Sequence, residues 1–136
     1  MSHKYTVEFR IYGKSLDPAA VTADLGLEPC RTVNPGTRRA DGRLLEGLWA
    51  FDGDPSEAFS GSLEEALRFV LDLLHPLKER ILAYRTSAHL VWWCGHFQSS
   101  FDGGYTLSAA VLGQLSDFGV EFTVDNYFSE SEATAE

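Results

Sequence analysis

Cysteine is scarce in this chain: Cys30 and Cys94 are the only two among 136 residues. Two thiols fit a reducing compartment, where a structural disulfide is not expected. Zinc-site spacing is missing as well. No C-x-x-C or H-x-x-x-H occurs, and His3, His75 and His89 stand singly, so neither a metal nor a cofactor is expected. The longest apolar run, Leu90 to Cys94, falls far short of the ~20 residues that span a bilayer. The opening "MSHKYTVEFR" carries charges at Lys4, Glu8 and Arg10 where a signal peptide has its apolar core. A cytoplasmic protein without membrane association is therefore expected. Basic residues are few, eleven Lys and Arg against twenty Asp and Glu, for a formal net charge of −9. Nucleic-acid binding depends on cations that neutralise phosphates, so that class is disfavoured.

What remains is ordinary for a globular domain: 44% hydrophobic, 12% aromatic and 23% charged residues. The length predicts one domain over 1–128, large enough to bury a core without a metal or disulfide staple. The segment "SESEATAE" has no apolar periodicity, and 129–136 is expected to be a disordered acidic tail.

Along the chain, "KYTVEFRIY" alternates Tyr5, Val7, Phe9 and Ile11 against Thr6, Glu8, Arg10 and Tyr12, the pattern of a half-buried strand. "LDPAAVTADLGL" predicts a short helix, with Asp17 as N-cap, Pro18 in the first turn and Gly26 just past the end. Short strands are expected at "EPCRTV" and "LLEGLWAF", separated by a basic loop with turn signals at Asn34-Pro35-Gly36 and Asp41-Gly42. "SLEE" at Ser62 is a capping box that opens a Leu-rich helix. Pro76 predicts a kink near His75, or two helices sharing one stripe. A strand over 88–98, a helix capped by Ser108 and a last strand, "VEFTVDNYF", complete the order β-α-β-β-α-β-α-β. Such an order predicts an α+β fold, a mixed or antiparallel sheet with helices on one face, related to ferredoxin-like arrangements. The two ends share capping and exit signals, which fits either a duplicated strand–helix–strand unit or independent use of the same local chemistry.

The stretches "LDPAAVTADLGLEPCRTVNPG" and "GLWAF", the proline-interrupted Leu-rich helix and "LSAAVLGQLSDFGVEFTVDNYF" together resemble a bacterial family described as a domain of unknown function, DUF4279. The likeness runs from Tyr5 to about Phe128. It implies a bacterial cytoplasmic protein and carries no catalytic residues to transfer.

Four sites merit weighing. In "LVWWCGHFQSSF", Cys94 and His96 would share a strand face with Trp92, while Trp93 and Phe97 take the other. Same-face neighbours on one strand sit roughly 6–7 Å apart, so a buried Cys beside a sheet His is the plainer reading than a thiolate–imidazole pair. Cys94, His96, Cys30 and His89 lack the spacing of a metal set. The basic loop offers Arg31, Arg38, Arg39 and Arg43 to an anion, with Trp49 nearby, or else leaves them solvated and paired with acids. Last, the sheet face opposite the helices gathers Arg10, Tyr12, Asp125 and Tyr127. One face of the 88–98 strand joins them, either Trp92-Cys94-His96 or Trp93-Gly95-Phe97. Trp92 and His96 are taken as candidate members, and exposed tryptophan among charges is what a recognition surface needs.

No catalytic residues can be assigned, because no nucleophile stands with a base. The expected function is a small acidic interaction module that pairs with a protein partner or with itself, such as an immunity-like protein matched to a basic toxin. The alternative is an anionic-ligand binder or enzyme at loop 31–43.

Overall fold

The computed structural model describes residues 3–129, so the acidic tail lies, from residue 130 onward, outside the described residues. Strand β1 (His3–Gly13) sits in the middle of a five-stranded sheet of order β2-β3-β1-β4-β5. The others are β2 (Arg31–Val33), β3 (Gly47–Phe51), β4 (His89–Gln98) and β5 (Glu121–Phe128). β1 runs antiparallel to both β3 and β4, and β2 antiparallel to β3. β5 lies parallel to β4, which requires a crossover connection. Helix α4 (Ala109–Phe118) supplies it.

Helix α1 (Pro18–Leu25) carries the chain from β1 to β2, and β3 then inserts between those two strands. This is the split β-α-β arrangement of ferredoxin-like sheets, extended at the β4 edge by α4 and β5. The two ends that look alike in sequence are therefore used differently. β1 and β2 are separated by β3, whereas β4 and β5 are direct neighbours.

Local chemistry explains the helix boundaries. The Asp17 carboxylate accepts from the Ala19 amide at 3.1 Å, and Gly26 ends α1 in the left-handed region at φ 68°. Ser62 Oγ accepts from the Glu65 amide at 3.0 Å to start α2 (Leu63–Leu74). Pro76 has no amide hydrogen, and the Leu-rich helix is divided there, the second of the two expected outcomes. A 3₁₀ turn (His75–Leu77) leads to the short α3 (Lys78–Leu82), a second 3₁₀ turn (Ala83–Thr86) and then β4. The apolar stripe nevertheless continues, because Leu67, Leu74 and Ile81 are all fully buried.

All helices pack on one face of the sheet. Tyr5, Val7, Phe9 and Ile11 of β1 meet Trp49 and Phe51 of β3 and Leu90, Trp92 and Cys94 of β4 in that core. Trp92 crosses Phe9 and Phe118 edge to face, with centroids 4.9 and 5.6 Å away. Aromatic contacts of this kind add to the burial of large apolar area.

Candidate functional site

The register fixes which side chains share the uncovered face. Reading across the sheet, Glu8 of β1 lies beside Trp93 of β4, which lies beside Thr123 of β5. Arg10 stands between Ala50 and Val91, and beyond Ala50 comes Arg31 of β2. Toward the other end, Lys4, Phe97 and Tyr127 form a row. Arg10, Tyr12, Asp125 and Tyr127 therefore stand on one face.

Trp92 and His96 do not, and this corrects their assignment. Because Phe9 pairs with Trp92 and Tyr5 with His96, both β4 residues point into the helix-covered core, 0% and 3% exposed. Trp93 and Phe97 take their place. Trp49 also faces the core, where its indole N–H donates to Thr22 Oγ1 at 3.0 Å, so it does not border the basic loop's ligand face.

Half-buried Trp93 is held from two sides. Its indole N–H donates to Asp125 Oδ2 at 2.7 Å, and the Arg10 guanidinium carbon lies 4.2 Å from its ring centroid. Arg10 in turn donates to Glu8 Oε1 at 2.8 Å and to the Tyr12 hydroxyl at 3.0 Å. Burial works against the charge on Arg10, but its bonds to Glu8 and Tyr12 outweigh it and hold the guanidinium protonated. Arg31 approaches the same Glu8 carboxylate at 3.6 Å.

Three hollows open on this platform, one of them, of about 410 Å³, beside Lys4, Phe97 and Tyr127. β1 pairs with β3 from Phe9 to Gly13 and then with Phe59 at Tyr5, so the ladder is interrupted between. There a cleft of about 370 Å³ lies between β1 and residues 52–59. Glu8, Asp52 and Glu57 give it acid, and Phe59, Trp93 and Phe97 give it aromatic surface. At the opposite end, a groove of about 340 Å³ runs between the sheet and residues 43–46. It brings Arg10, Tyr12, Arg31 and Arg43 together.

The chain belongs to the DUF4279 family. The match to this family, described as a domain of unknown function, covers residues 3–129. No curated protein and no solved structure matches the chain.

Within this DUF4279 domain the basic stretch is divided by its own turn. Arg38 donates to the Gly42 carbonyl at 2.9 Å and Arg39 lies 3.9 Å from Asp41, so these two serve the loop while Arg31 and Arg43 border the groove. Cys94 and His96 share a face without bonding. His96 instead contacts His3 at 2.8 Å and Asn126 at 2.9 Å, and burial pushes the Cys94 thiol up to about 12. The acid–aromatic cleft and the His3–His96 contact were both missed by sequence reasoning. Each depends on strand register or on residues far apart in the chain, which no local pattern encodes. Among the described residues no helix is long and apolar enough to cross a membrane.

Proposed function

We propose that this domain is a protein-interaction module whose open sheet face receives a basic segment of a partner. The carrying observation is Trp93, fixed by Arg10 and Asp125 beside a cleft that combines Glu8, Asp52 and Glu57 with aromatic walls. A cationic side chain entering there meets carboxylates for charge and ring faces for cation–π contact. Net charge of −9 adds long-range steering of a basic partner, which speeds encounter and selects against acidic competitors. A basic toxin neutralised by an immunity-like protein is one pairing of this chemistry.

Titration with an arginine-rich peptide, read by Trp93 emission at low and high salt, tests the proposal. Binding is expected to weaken several-fold in Asp52→Asn and Glu57→Gln and to fall with salt. Asp72→Asn, the same charge change on exposed α2 surface, is the control. Equal losses in the control and in the cleft variants would reduce the effect to bulk charge and overturn the assignment. So would equal response to a glutamate-rich peptide.

A further inference from the structure

The groove at the other end of the sheet has the opposite chemistry, and we infer that it binds a small monocarboxylate carrying a short apolar body. Its floor is the open face of β1, β2 and β3. Arg10 and Arg31 stand on either side of Ala50, which is itself fully buried, and both line the groove. Tyr12, Leu48 and Val33 form the next row along the same strands. Residues 43–46 make the wall, set by a small hairpin in which the Gly36 amide donates to the Leu45 carbonyl at 2.9 Å and the Leu45 amide to the Thr37 carbonyl at 2.7 Å. That hairpin positions Arg43 against the floor and leaves Leu44 62% exposed at the rim.

Charge counting selects the ligand. Arg10 and Arg31 share the single carboxylate of Glu8. Arg43 has no carboxylate within ion-pair distance among the described residues, and Glu46 is the acid that lines the groove itself. Three guanidiniums against two carboxylates leave one positive charge, so a monoanion balances the site and a dianionic phosphate overfills it. The donor geometry agrees. Arg10 already donates to the Tyr12 oxygen, so the Tyr12 hydroxyl hydrogen is left to donate outward beside the guanidiniums. Guanidinium groups suit the two oxygens of a carboxylate. Val33, Leu44, Leu45 and Leu48 then give an apolar tail somewhere to lie, and about 340 Å³ is at the small end of the range for ligand sites. This site and the acid–aromatic cleft share Glu8 and Arg10, but the variants that test them, at Arg31 and Arg43 here and at Asp52 and Glu57 there, are distinct.

Hexanoate, 1-hexanol and inorganic phosphate are the probes, with binding followed by calorimetry and by amide chemical shifts of residues 31–33 and 43–48. Hexanoate is expected to bind saturably, hexanol at least tenfold more weakly and phosphate more weakly than hexanoate. Arg43→Gln and Arg31→Gln should each lower hexanoate affinity about tenfold without shifting the thermal midpoint of the free protein, since Arg43 is exposed and the Arg31 side chain is 52% exposed. Equal binding of hexanol would make the groove merely apolar. Undiminished hexanoate binding in both variants, or no binding of hexanoate at all, overturns the inference.

Discussion

His3 and His96 lie 93 residues apart in the chain and meet ring against ring, Nδ1 of His3 2.8 Å from Nε2 of His96. Their centroids are 5.0 Å apart, and Tyr5 stacks on the other side of His96 at 4.8 Å. Proton placement follows from the partners. The Asp102 carbonyl can only accept, so His3 Nε2, 2.7 Å away, carries its hydrogen. One hydrogen then lies between His3 Nδ1 and His96 Nε2, so each ring nitrogen is satisfied by the other. His96 Nδ1 lies 2.9 Å from the side-chain oxygen of Asn126, which can accept a hydrogen from it. The pair thus joins the start of β1, the end of β4, β5 and the 100–106 loop.

Removing one member leaves the other stranded. His3→Ala should cost about 1–3 kcal/mol, because His96 Nε2, buried with the rest of its ring, loses its hydrogen-bond partner. His3→Gln, whose amide can donate or accept, should recover part of the loss. Urea unfolding measures both, and an unchanged midpoint in His3→Ala would show that the contact contributes nothing.

The two core tryptophans are sealed and the third is not. Trp49 and Trp92 are each 0% exposed, and only Trp93 lies within reach of solvent. Acrylamide should therefore quench one component of the emission, and Trp93→Phe should abolish that component while leaving the rest. Persistence of the quenchable component in Trp93→Phe would contradict the assignment of the open face.

Two glycines predict opposite signs. A Cβ at Gly47 would collide with the Leu16 carbonyl, where neither backbone can yield, so Gly47→Ala should destabilise by about 1–3 kcal/mol. A Cβ at Gly113 in α4 meets nothing within 4 Å, and Gly113→Ala should stabilise by up to ~1 kcal/mol through helix propensity. Chemical unfolding of the two variants side by side gives the comparison.

Both thiols are held protonated. Burial pushes Cys94 up to about 12. Burial of the thiol, then the Glu8 and Asp52 carboxylates, push Cys30 up to about 12, although that residue as a whole is exposed. Iodoacetamide at pH 7.5 should therefore alkylate the folded protein at least tenfold more slowly than a free thiol, whose pKa is ~8.5. The sign for stability follows. A raised folded-state value favours the protonated thiol, so this contribution is complete below the unfolded value of 9.0 and is lost as pH rises toward 12. Fast labelling of native protein at pH 7.5 would exclude it.

Much of the architecture is readable in local chemistry. Asp17, Ser62 and Ser108 accept from the first-turn amides of α1, α2 and α4, as expected. Gly26 and Gly119 end their helices in the left-handed region, where a side chain is unfavourable. The alternation of β1 correctly separates Tyr5, Val7, Phe9 and Ile11 from Glu8 and Arg10 because one face is wholly apolar and the other is not. β4 offers no such contrast. Leu90, Trp92 and Cys94 are as apolar as Val91, Trp93 and Phe97, so alternation sorts them into two sets without saying which one faces the helices.

The sequence alone determined the α+β class, the helix caps, the division of the long helix at Pro76 and the two sets of β4 side chains. Each depends on residues a few positions apart, within reach of one turn or one pleat. Only tertiary structure decided that Trp93 rather than Trp92 faces outward, since this follows from pairing Phe9 with Trp92 across β1 and β4. The same pairing buries His96 against His3 and brings Arg10 to the groove beside Arg31 and Arg43. A strand pleat has a period of two and no intrinsic inside; register with a distant partner supplies the inside, and with it the functional face.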